Sequence, residues 1–229
     1  MAMTSSLAEV VGAVSAISVL LIMMSMQLKT ALAADPDPLF DFFPTNLTSF
    51  TLRDIFTNGD VSVGPGGTRA TVNINIFPAM QMQSLTYTQF RMRPCGVNLP
   101  HTHPRASEML TLVTGGPLQV GFVDTEGVRH IDILYPGDVT IFPRGLLHFE
   151  LNLGKRTALY ISALNSQNPG VLTAAGALLN IPLRALATAF NRTIEEVEEL
   201  EENKLVYGST LEMPPAGVCT PGQNITTDF

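Results

Sequence analysis

Three of the four histidines in this chain lie in two short segments whose spacing suits metal binding. The first segment contains His101, His103 and Glu108, and the second ends at His148. Side chains two residues apart on a β-strand point to the same face, so His101 and His103 can present imidazole nitrogens to one point. Glu108 is expected to begin the next strand close by, and His148 begins a later strand that could line the same interior.

Three imidazoles and one carboxylate form a ligand set that suits manganese, iron, nickel, cobalt or zinc. No thiolate belongs to the set, which disfavours structural zinc and iron–sulfur centres. On a six-coordinate ion the set would leave two positions open for water, a substrate or dioxygen, whereas on tetrahedral zinc it would close the shell. A His-x-His pair alone is more often a surface or core feature, so the prediction depends on all four residues together.

The segments that must position these residues are predicted to be short β-strands. Apolar residues fall into short runs between residues 71 and 162, and turns rich in Gly and Pro separate most of the runs. Strands at this spacing are typical of a sandwich or a barrel. The predicted strands cover residues 72–76, 108–113, 118–123, 128–133, 139–142, 148–152 and 158–161.

The pattern after residue 169 favours short helices, and Thr193 and Glu196 have the spacing of a capping box. The predicted helices cover residues 172–180, 183–190 and 193–204. The sequence therefore predicts an all-β protein, either a sandwich or a barrel, with a short C-terminal helical segment. The predicted segments are a signal peptide at 1–33, an extended lead-in at 34–70, the barrel core with the metal site at 71–165, the helical segment at 166–206 and an irregular tail at 207–229.

Composition indicates one packed domain and disfavours a nucleic-acid partner. The chain has 229 residues, of which 45% are hydrophobic and 14% charged, enough apolar material for a core and too little charge for a disordered chain. The formal net charge is −7 and Lys and Arg do not cluster, whereas a nucleic-acid-binding domain would show a basic face. An anionic substrate stays compatible with this charge, because a bound cation can set the local field.

The first 33 residues have the pattern of a secretory signal peptide. An apolar run spans residues 10–26, and Ala31, Leu32 and Ala33 form an Ala-x-Ala cleavage signature. The segment before the run lacks a basic residue, and the length of the run leaves an uncleaved signal anchor as an alternative. With the peptide removed, the mature chain is expected to be secreted and to have no membrane segment.

Two further features agree with export. Asn46, Asn191 and Asn224 each stand in an Asn-x-Thr acceptor for N-glycosylation. The two cysteines, Cys95 and Cys219, are an even pair, which suggests a disulfide in an oxidising compartment, with two unpaired thiols as the alternative.

The two histidine segments resemble the two cupin motifs of germin-like proteins. The residues that match the first motif are His101, His103, Glu108 and Gly115, and those that match the second are Gly137, Pro143, Gly145, His148 and Asn152. Germin-like strings also occur at residues 34–39, 100–106 and 165–170. Two positions depart from the germin pattern: Cys95 replaces the leading Gly of the first motif, and Phe43 stands where the first of two N-terminal cysteines is expected.

This resemblance implies a secreted, glycosylated protein with a single cupin β-barrel of the jelly-roll type and one manganese ion held by His101, His103, Glu108 and His148. It also implies a location in the extracellular space, apoplast or cell wall. The expected partner is the chain itself, in a homo-oligomer that is typically a hexamer made of dimers. If Cys95 and Cys219 pair, they form a bridge different from the N-terminal one of germins.

The resemblance implies three candidate functions. The first is superoxide dismutation, which yields dioxygen and hydrogen peroxide. The second is oxalate oxidation, in which two asparagines hold the substrate; one aligns with Asn98, a candidate substrate contact or supporting residue, and the other falls at Thr88, which has no amide. The third is a non-catalytic wall-associated, storage or ligand-binding protein whose metal is structural.

Four other residues of interest are not predicted to be metal ligands. His130 follows a turn and is predicted to lie on an exposed strand face away from the metal. Phe142 is predicted to be a core residue. Arg105 and Arg144 flank the ligands, where they could attract an anion or simply be exposed or paired with carboxylates.

Overall fold

The computed structural model describes residues 40–43, 47–202 and 210–223. Most of the regular structure is β: β1 (Asp60–Gly64), β2 (Gly67–Val72), β3 (Thr86–Met92), β4 (Val97–Thr102), β5 (Glu108–Thr114), β6 (Leu118–Val123), β7 (Arg129–Leu134), β8 (Val139–Phe142), β9 (Leu147–Asn152), β10 (Ala158–Leu164) and β11 (Leu172–Thr173). One antiparallel sheet has the order β1-β2-β3-β10-β5-β8, and the other has the order β11-β4-β9-β6-β7. The prediction of an all-β barrel is confirmed.

Strand alternation places the functional and the core side chains on the same inward faces. On β5, Glu108, Leu110 and Leu112 are buried, whereas Met109 between them is exposed. This period of two is the expected consequence of the pleat. Strands β6 and β8 have the predicted bounds, β5, β9 and β10 are longer than predicted by one to three residues, and β7 is shifted by one residue.

The strand predicted at residues 72–76 is wrong. Val72 ends β2, and the chain then turns because the side-chain oxygen of Asn73 accepts the backbone N–H groups of Asn75 and Ile76 at 2.9 and 3.3 Å. Such local hydrogen bonds compete with strand pairing. The strand lies earlier, where β1 and β2 pair as an antiparallel hairpin that begins inside the segment predicted as a lead-in and ends two residues beyond it.

The main core fills the space between the sheets. Phe90 and Tyr160 stack with ring centroids 4.3 Å apart, and Leu110, Leu112 and Leu118 are fully buried around them. Aromatic stacking adds about 0.5–1.5 kcal/mol to the burial of the rings. The remaining members of this core are Met92, Val120, Leu134, Phe142, Ala158 and Leu211.

In the described part of the chain, the short helix α1 (Ile55–Asn58) precedes the barrel, and three helices follow it: α2 (Ala174–Leu178), α3 (Leu183–Phe190) and α4 (Ile194–Glu202). The predicted helix at 172–180 is shorter than expected, because Leu172 and Thr173 pair with β4 instead. The capping box is confirmed: Glu196 accepts the backbone N–H of Thr193 at 2.8 Å, and the Thr193 hydroxyl accepts that of Glu196 at 3.2 Å. The predicted end of the third helix at residue 204 lies outside the described residues.

The tail is tied to the end of the barrel around Cys95. Val97 and Glu212 exchange two backbone hydrogen bonds of 2.9 and 2.8 Å, and Leu211 enters the main core. Cys95 and Cys219 form a disulfide with their Cα atoms 5.8 Å apart. The tail therefore closes this end of the barrel although it has almost no regular structure.

Within the described ranges, every helix is too short or too polar to cross a bilayer. The predicted signal peptide at 1–33 lies outside those ranges.

Candidate metal centre

The four predicted ligands come from both sheets and converge between them. His101 and His148 lie directly opposite each other on β4 and β9, and Glu108 begins β5 in the facing sheet. The β4–β9 register is irregular between Asn98 and His101, around Pro100, which has no N–H for the ladder. Because β4 ends at Thr102, His103 projects from the loop that follows.

The potential ligand atoms form a compact, buried cluster. One donor atom from each of His101, His103, Glu108 and His148 lies within 4.8 Å of the others. The four residues are 2–8% exposed. Oε2 of Glu108 is 3.0 Å from Nε2 of His103 and 3.4 Å from Nε2 of His148.

Backbone carbonyls set the tautomer of all three imidazoles. Nδ1 of His101, His103 and His148 lies 2.8, 2.6 and 2.9 Å from the carbonyl oxygens of Leu99, Gly170 and Leu146 respectively. A carbonyl oxygen can only accept, so each Nδ1 carries the hydrogen and each neutral ring directs a lone pair from Nε2 into the cluster. Metal-binding histidines are oriented by such hydrogen bonds from the second ring nitrogen.

The residues present fit a divalent cation. Oε2 of Glu108 and Nε2 of His148 are buried and, among the described residues, have no partner with hydrogen-bond geometry. Leaving buried acceptors unpaired costs free energy, and a cation shared by the lone pairs would remove that cost. The set of three nitrogens and one oxygen agrees with the metals expected from the sequence.

Burial and neighbouring side chains shift the pKa values of residues in the cluster. Desolvation, with the neighbouring His148 and His103, lowers the pKa of His101 to about 3, so this ring is neutral at physiological pH. Burial by itself would raise the pKa of Glu108, but the adjacent imidazoles of His103 and His148, with Nε2 atoms 3.0 and 3.4 Å from Oε2, hold it well below its usual range. Deprotonated histidine and ionised carboxylate are the forms that bind metal.

An aromatic ring and a loop support the ligands. The ring of Phe142, predicted and found to be buried, stacks on His148 with centroids 4.4 Å apart. Arg105 donates to the backbone and side-chain oxygens of Asn168 at 2.6 and 2.8 Å, in the loop whose Gly170 carbonyl accepts from His103. Arg105 therefore stabilises this loop rather than binding a carboxylate.

A cavity of about 260 Å³ opens beside the cluster. His101, His103 and Glu108 form one part of its wall, and the rest combines polar side chains with apolar ones such as Phe90, Leu164 and Val171. The polar wall residues include Arg69, Thr71, Thr88, Asn98 and Ser162. The structure thus brings Asn98, a candidate from the sequence, to the same cavity as the ligands.

Sequence reasoning missed Glu150 and Arg69. Glu150 is fully buried, opposite Asn98 on the neighbouring strand, and neither of its carboxylate oxygens has a hydrogen-bond partner in the described part of the chain. Burial and the nearby charge of Glu108 raise its pKa well above the usual value, which favours the protonated acid. Glu150 could have been found from the sequence because it lies two residues after His148, and side chains at that spacing share one face of a strand.

The other predicted residues lie away from the cluster. His130 is exposed, 2.8 Å from the Asp124 carboxylate, as its sequence position suggested. Asn191 is exposed at the C-terminal end of α3. Asn46 and Asn224 lie outside the described residues, so the structure says nothing about these two acceptors.

Proteins similar to this chain share its fold and much of its length. The sequence matches the cupin family over residues 54–198. Nectarin-1 of Nicotiana plumbaginifolia is 37% identical over 190 residues, 74% of this chain and 82% of that protein. Germin-like protein subfamily 1 member 13 of Arabidopsis thaliana is 33% identical over 211 residues, 80% of this chain and 95% of that protein. A solved structure of oxalate oxidase aligns with a TM-score of 0.64 and 26% identity, covering 74% of this chain and 97% of that one.

Proposed function

The chain belongs to the cupin family and, within it, to the germin-like proteins, and on this premise we propose that it is a manganese-dependent oxidoreductase that dismutes superoxide. The observation that carries the proposal is the convergence of three Nε2 lone pairs and one carboxylate on a single buried point beside a cavity. The germin-like motifs favour manganese among the metals that the donor set suits.

The protein residues would bind the ion and leave one side of it accessible. His101, His103, Glu108 and His148 would supply four ligands, and a six-coordinate ion then keeps two positions for exchangeable molecules. The carbonyl groups that accept from the imidazole Nδ1 atoms would keep the rings in place during turnover. The cavity offers a route for a small anion to the open side.

The reaction is balanced without a further reactant. When bound, manganese supplies two accessible oxidation states, so that one superoxide is oxidised to dioxygen and another is reduced. Two protons complete the product, so two superoxide ions and two protons give one dioxygen and one hydrogen peroxide. The chain as a whole carries a net charge of −7, and the cation would provide the local positive field that an anion needs.

Oxalate oxidation is the second candidate. It is supported by the similarity to a solved oxalate oxidase and by the position of Asn98 in the cavity wall. The second amide expected from the resemblance is missing: Thr88 takes that place, and its hydroxyl is 3.1 Å from that of Thr71. In this reaction oxalate, dioxygen and two protons would give two carbon dioxide molecules and hydrogen peroxide.

We also propose that the protein is secreted to the extracellular space and N-glycosylated. The predicted cleavage signature at residues 31–33 and the Cys95–Cys219 disulfide both support export through an oxidising compartment. Asn191 is the acceptor that lies within the described residues, and it is exposed there. Mass spectrometry of the protein from its native extracellular fluid would test both the mature N-terminus and the occupancy of Asn191.

A homo-oligomer is supported by an apolar surface on the first sheet. Met109, Val139 and Ile141 are 53–56% exposed on neighbouring strands, and β8 is the edge strand of that sheet in the described part of the chain. Exposed apolar groups beside a strand edge are typical of protein interfaces. Light scattering of the purified protein, alone and with Ile141→Lys, would report whether this surface mediates assembly.

The proposed reaction is tested by superoxide dismutation assays on the mature protein secreted from a eukaryotic host. Glu108→Ala is expected to lose manganese and at least ~100-fold of the activity, more than the ~10–100-fold effect of losing an outer hydrogen bond to a ligand. His130→Ala, which changes an exposed histidine, is the matched control and should keep both. Wild-type protein that contains manganese but does not dismute superoxide would refute the proposal, and oxalate-dependent release of peroxide would then support the second candidate.

A further inference from the structure

The predicted glycosylation acceptor at residues 191–193 also forms the corner between α3 and α4. Asn191 directly follows α3 in the left-handed backbone region, with φ 52° and ψ 51°, a conformation that ends helices and that Asn adopts more readily than most residues. Its N–H donates to the carbonyl of Thr188 at 3.3 Å, and the N–H of Arg192 donates to that of Ala187 at 2.9 Å. These bonds satisfy carbonyl groups at the end of α3, so Asn191 has a structural role in the folded corner.

The hydroxyl of Thr193, the third residue of the acceptor, belongs to the capping box of α4. It accepts the backbone N–H of Glu196 at 3.2 Å, while the Glu196 carboxylate accepts the N–H of Thr193 at 2.8 Å. The same carboxylate lies 3.5 Å from the guanidinium of Arg192, the middle residue of the acceptor. Below the corner, Leu186 and Val197 are buried in a small helical core. All three acceptor residues are therefore held by contacts of the folded helix pair.

Glycan transfer requires the acceptor in a different conformation. The motif demands Ser or Thr two residues after Asn, which indicates that the transferring enzyme binds that hydroxyl. In an extended chain, side chains two residues apart point to the same side, so the amide and the hydroxyl can enter one site together. In the folded corner, the backbone of Asn191 is left-handed and the Thr193 hydroxyl already accepts a hydrogen bond. Exposure of Asn191 is therefore not sufficient for its modification.

The helix pair is short enough to open and close while the chain is being made. The helices α3 and α4 contain eight and nine residues, and isolated helices shorter than ~12–15 residues are marginally stable in water. Helices form within about 1 μs, whereas synthesis adds about 5–20 residues per second. The corner therefore samples its folded form many times before the acceptor is modified, and the capping box sets the fraction of time for which the acceptor is open.

We propose that Asn191 receives its glycan only while the corner between α3 and α4 is open, so that the capping box limits the fraction of molecules modified there. The inference rests on the proposed secretion and N-glycosylation. The partner is the secretory-pathway enzyme that transfers an oligosaccharide from a pyrophosphate-linked lipid donor. A bond forms between the amide nitrogen of Asn191 and the anomeric carbon of the sugar. The bond from that carbon to the pyrophosphate breaks, and the amide nitrogen releases one proton.

The proposal is tested by mass spectrometry of the full-length protein secreted from a eukaryotic host, which gives the ratio of modified to unmodified Asn191. Glu196→Ala removes the carboxylate of the capping box and should raise this ratio by about 2–5-fold, the lower part of the range for losing a helix cap. Glu196→Gln retains an oxygen that can accept the Thr193 N–H, so it should stay close to wild type. Glu198→Ala, an exposed glutamate of α4 beyond its first turn, is the matched control and should leave the ratio unchanged.

Two kinds of result would overturn the proposal. Complete modification of Asn191 in the wild type, or equal ratios in wild type and Glu196→Ala, would show that the capping box does not limit transfer, while N-glycosylation itself would stand. Absence of the glycan from both proteins would refute the glycosylation of this residue as well. If Glu196→Ala is poorly secreted, translation into isolated microsomes measures transfer before export, and the same increase is expected there.

Discussion

Strand β5 carries Glu108 at one end of the barrel interior and Leu112 towards the other, and the surroundings of these two residues differ sharply. At the metal end, the cluster and its cavity leave Oε2 of Glu108 and Nε2 of His148 without hydrogen-bond partners in the described part of the chain. At the closed end, Leu112 and Leu118 are fully buried in an apolar core that Leu211 of the tail completes. The same strands therefore contribute inward-facing side chains both to the metal site and to the apolar core.

This difference shows how the fold separates stability from function. Buried polar groups without partners cost free energy, so the metal end is held together by the rest of the molecule. The closed end provides apolar burial, and a disulfide holds the tail against it. Changes at the closed end should lower stability with little effect on the metal site, whereas substitutions of the ligands should mainly change metal binding, and stability should fall at the metal end when a buried group there must take up a proton.

The largest effect at the closed end is expected from the disulfide. Cys95→Ser combined with Cys219→Ser removes a cross-link that spans 124 residues, for which the chain-entropy description gives about 4–5 kcal/mol of lost stability. Urea denaturation would measure the loss. Manganese content under native conditions should stay unchanged, and a large drop in it would show that the tail supports the metal end as well.

Low pH is expected to destabilise the metal end, by an amount comparable to the stability lost with the disulfide. In the metal-free protein, His101 has a pKa of about 3, compared with ~6.5 in the unfolded chain, so the unfolded chain binds more protons between these values. The contribution of this ring to stability is therefore complete above about pH 6.5 and falls as the pH decreases towards 3, by an amount on the order of 4 kcal/mol. The depressed pKa of Glu108 acts in the same direction below about pH 4.5, so the two windows overlap.

The acid prediction is measured by denaturation of the metal-free protein at a series of pH values. His101→Gln should flatten the dependence in this window, whereas His130→Gln, at the surface, should not change it. An unchanged slope in His101→Gln would contradict the assignment to this ring.

A smaller loss is expected from the apolar core. Leu112→Ala should lower the free energy of unfolding by about 2–5 kcal/mol, through lost burial and the cavity it leaves. Val113→Ala, on the outward face of the same strand and 38% exposed, is the matched control and should lose clearly less. Thermal or urea denaturation distinguishes the two, and similar losses would contradict the inward direction of Leu112.

The smallest change in stability is expected at Tyr160 in the main core. The hydroxyl of Tyr160 is buried with no partner in the described part of the chain, while its ring stacks on Phe90. Tyr160→Phe keeps the stacking and removes the unpaired group, so stability should stay equal or rise by up to about 1 kcal/mol. Tyr87→Phe, which removes an acceptor for Gln89 at 2.9 Å, should instead lower stability slightly. A clear loss in Tyr160→Phe would indicate an ordered water or ligand on that hydroxyl.

Some parts of the fold were predictable because they depend on local patterns. Strands β6 and β8 and the capping box of α4 follow from alternation and from a short motif, and the structure has them at the predicted residues. The strand predicted at 72–76 failed because one side chain, Asn73, makes a turn that alternation does not reveal. Leu172 and Thr173 were assigned to a helix because their pairing with distant β4 has no local signal.

By itself, the sequence determined the residue types of the metal site, the inward alternation that presents them and the resemblance to germins. Only the tertiary structure decided that the carbonyl group of Gly170, 67 residues along the chain, orients the imidazole of His103. It also decided that Arg69, 32 residues before His101, faces the same cavity. The physical reason is that strand pairing brings distant segments together. A local sequence pattern indicates neither the order in which strands pair nor how the two sheets pack around one point.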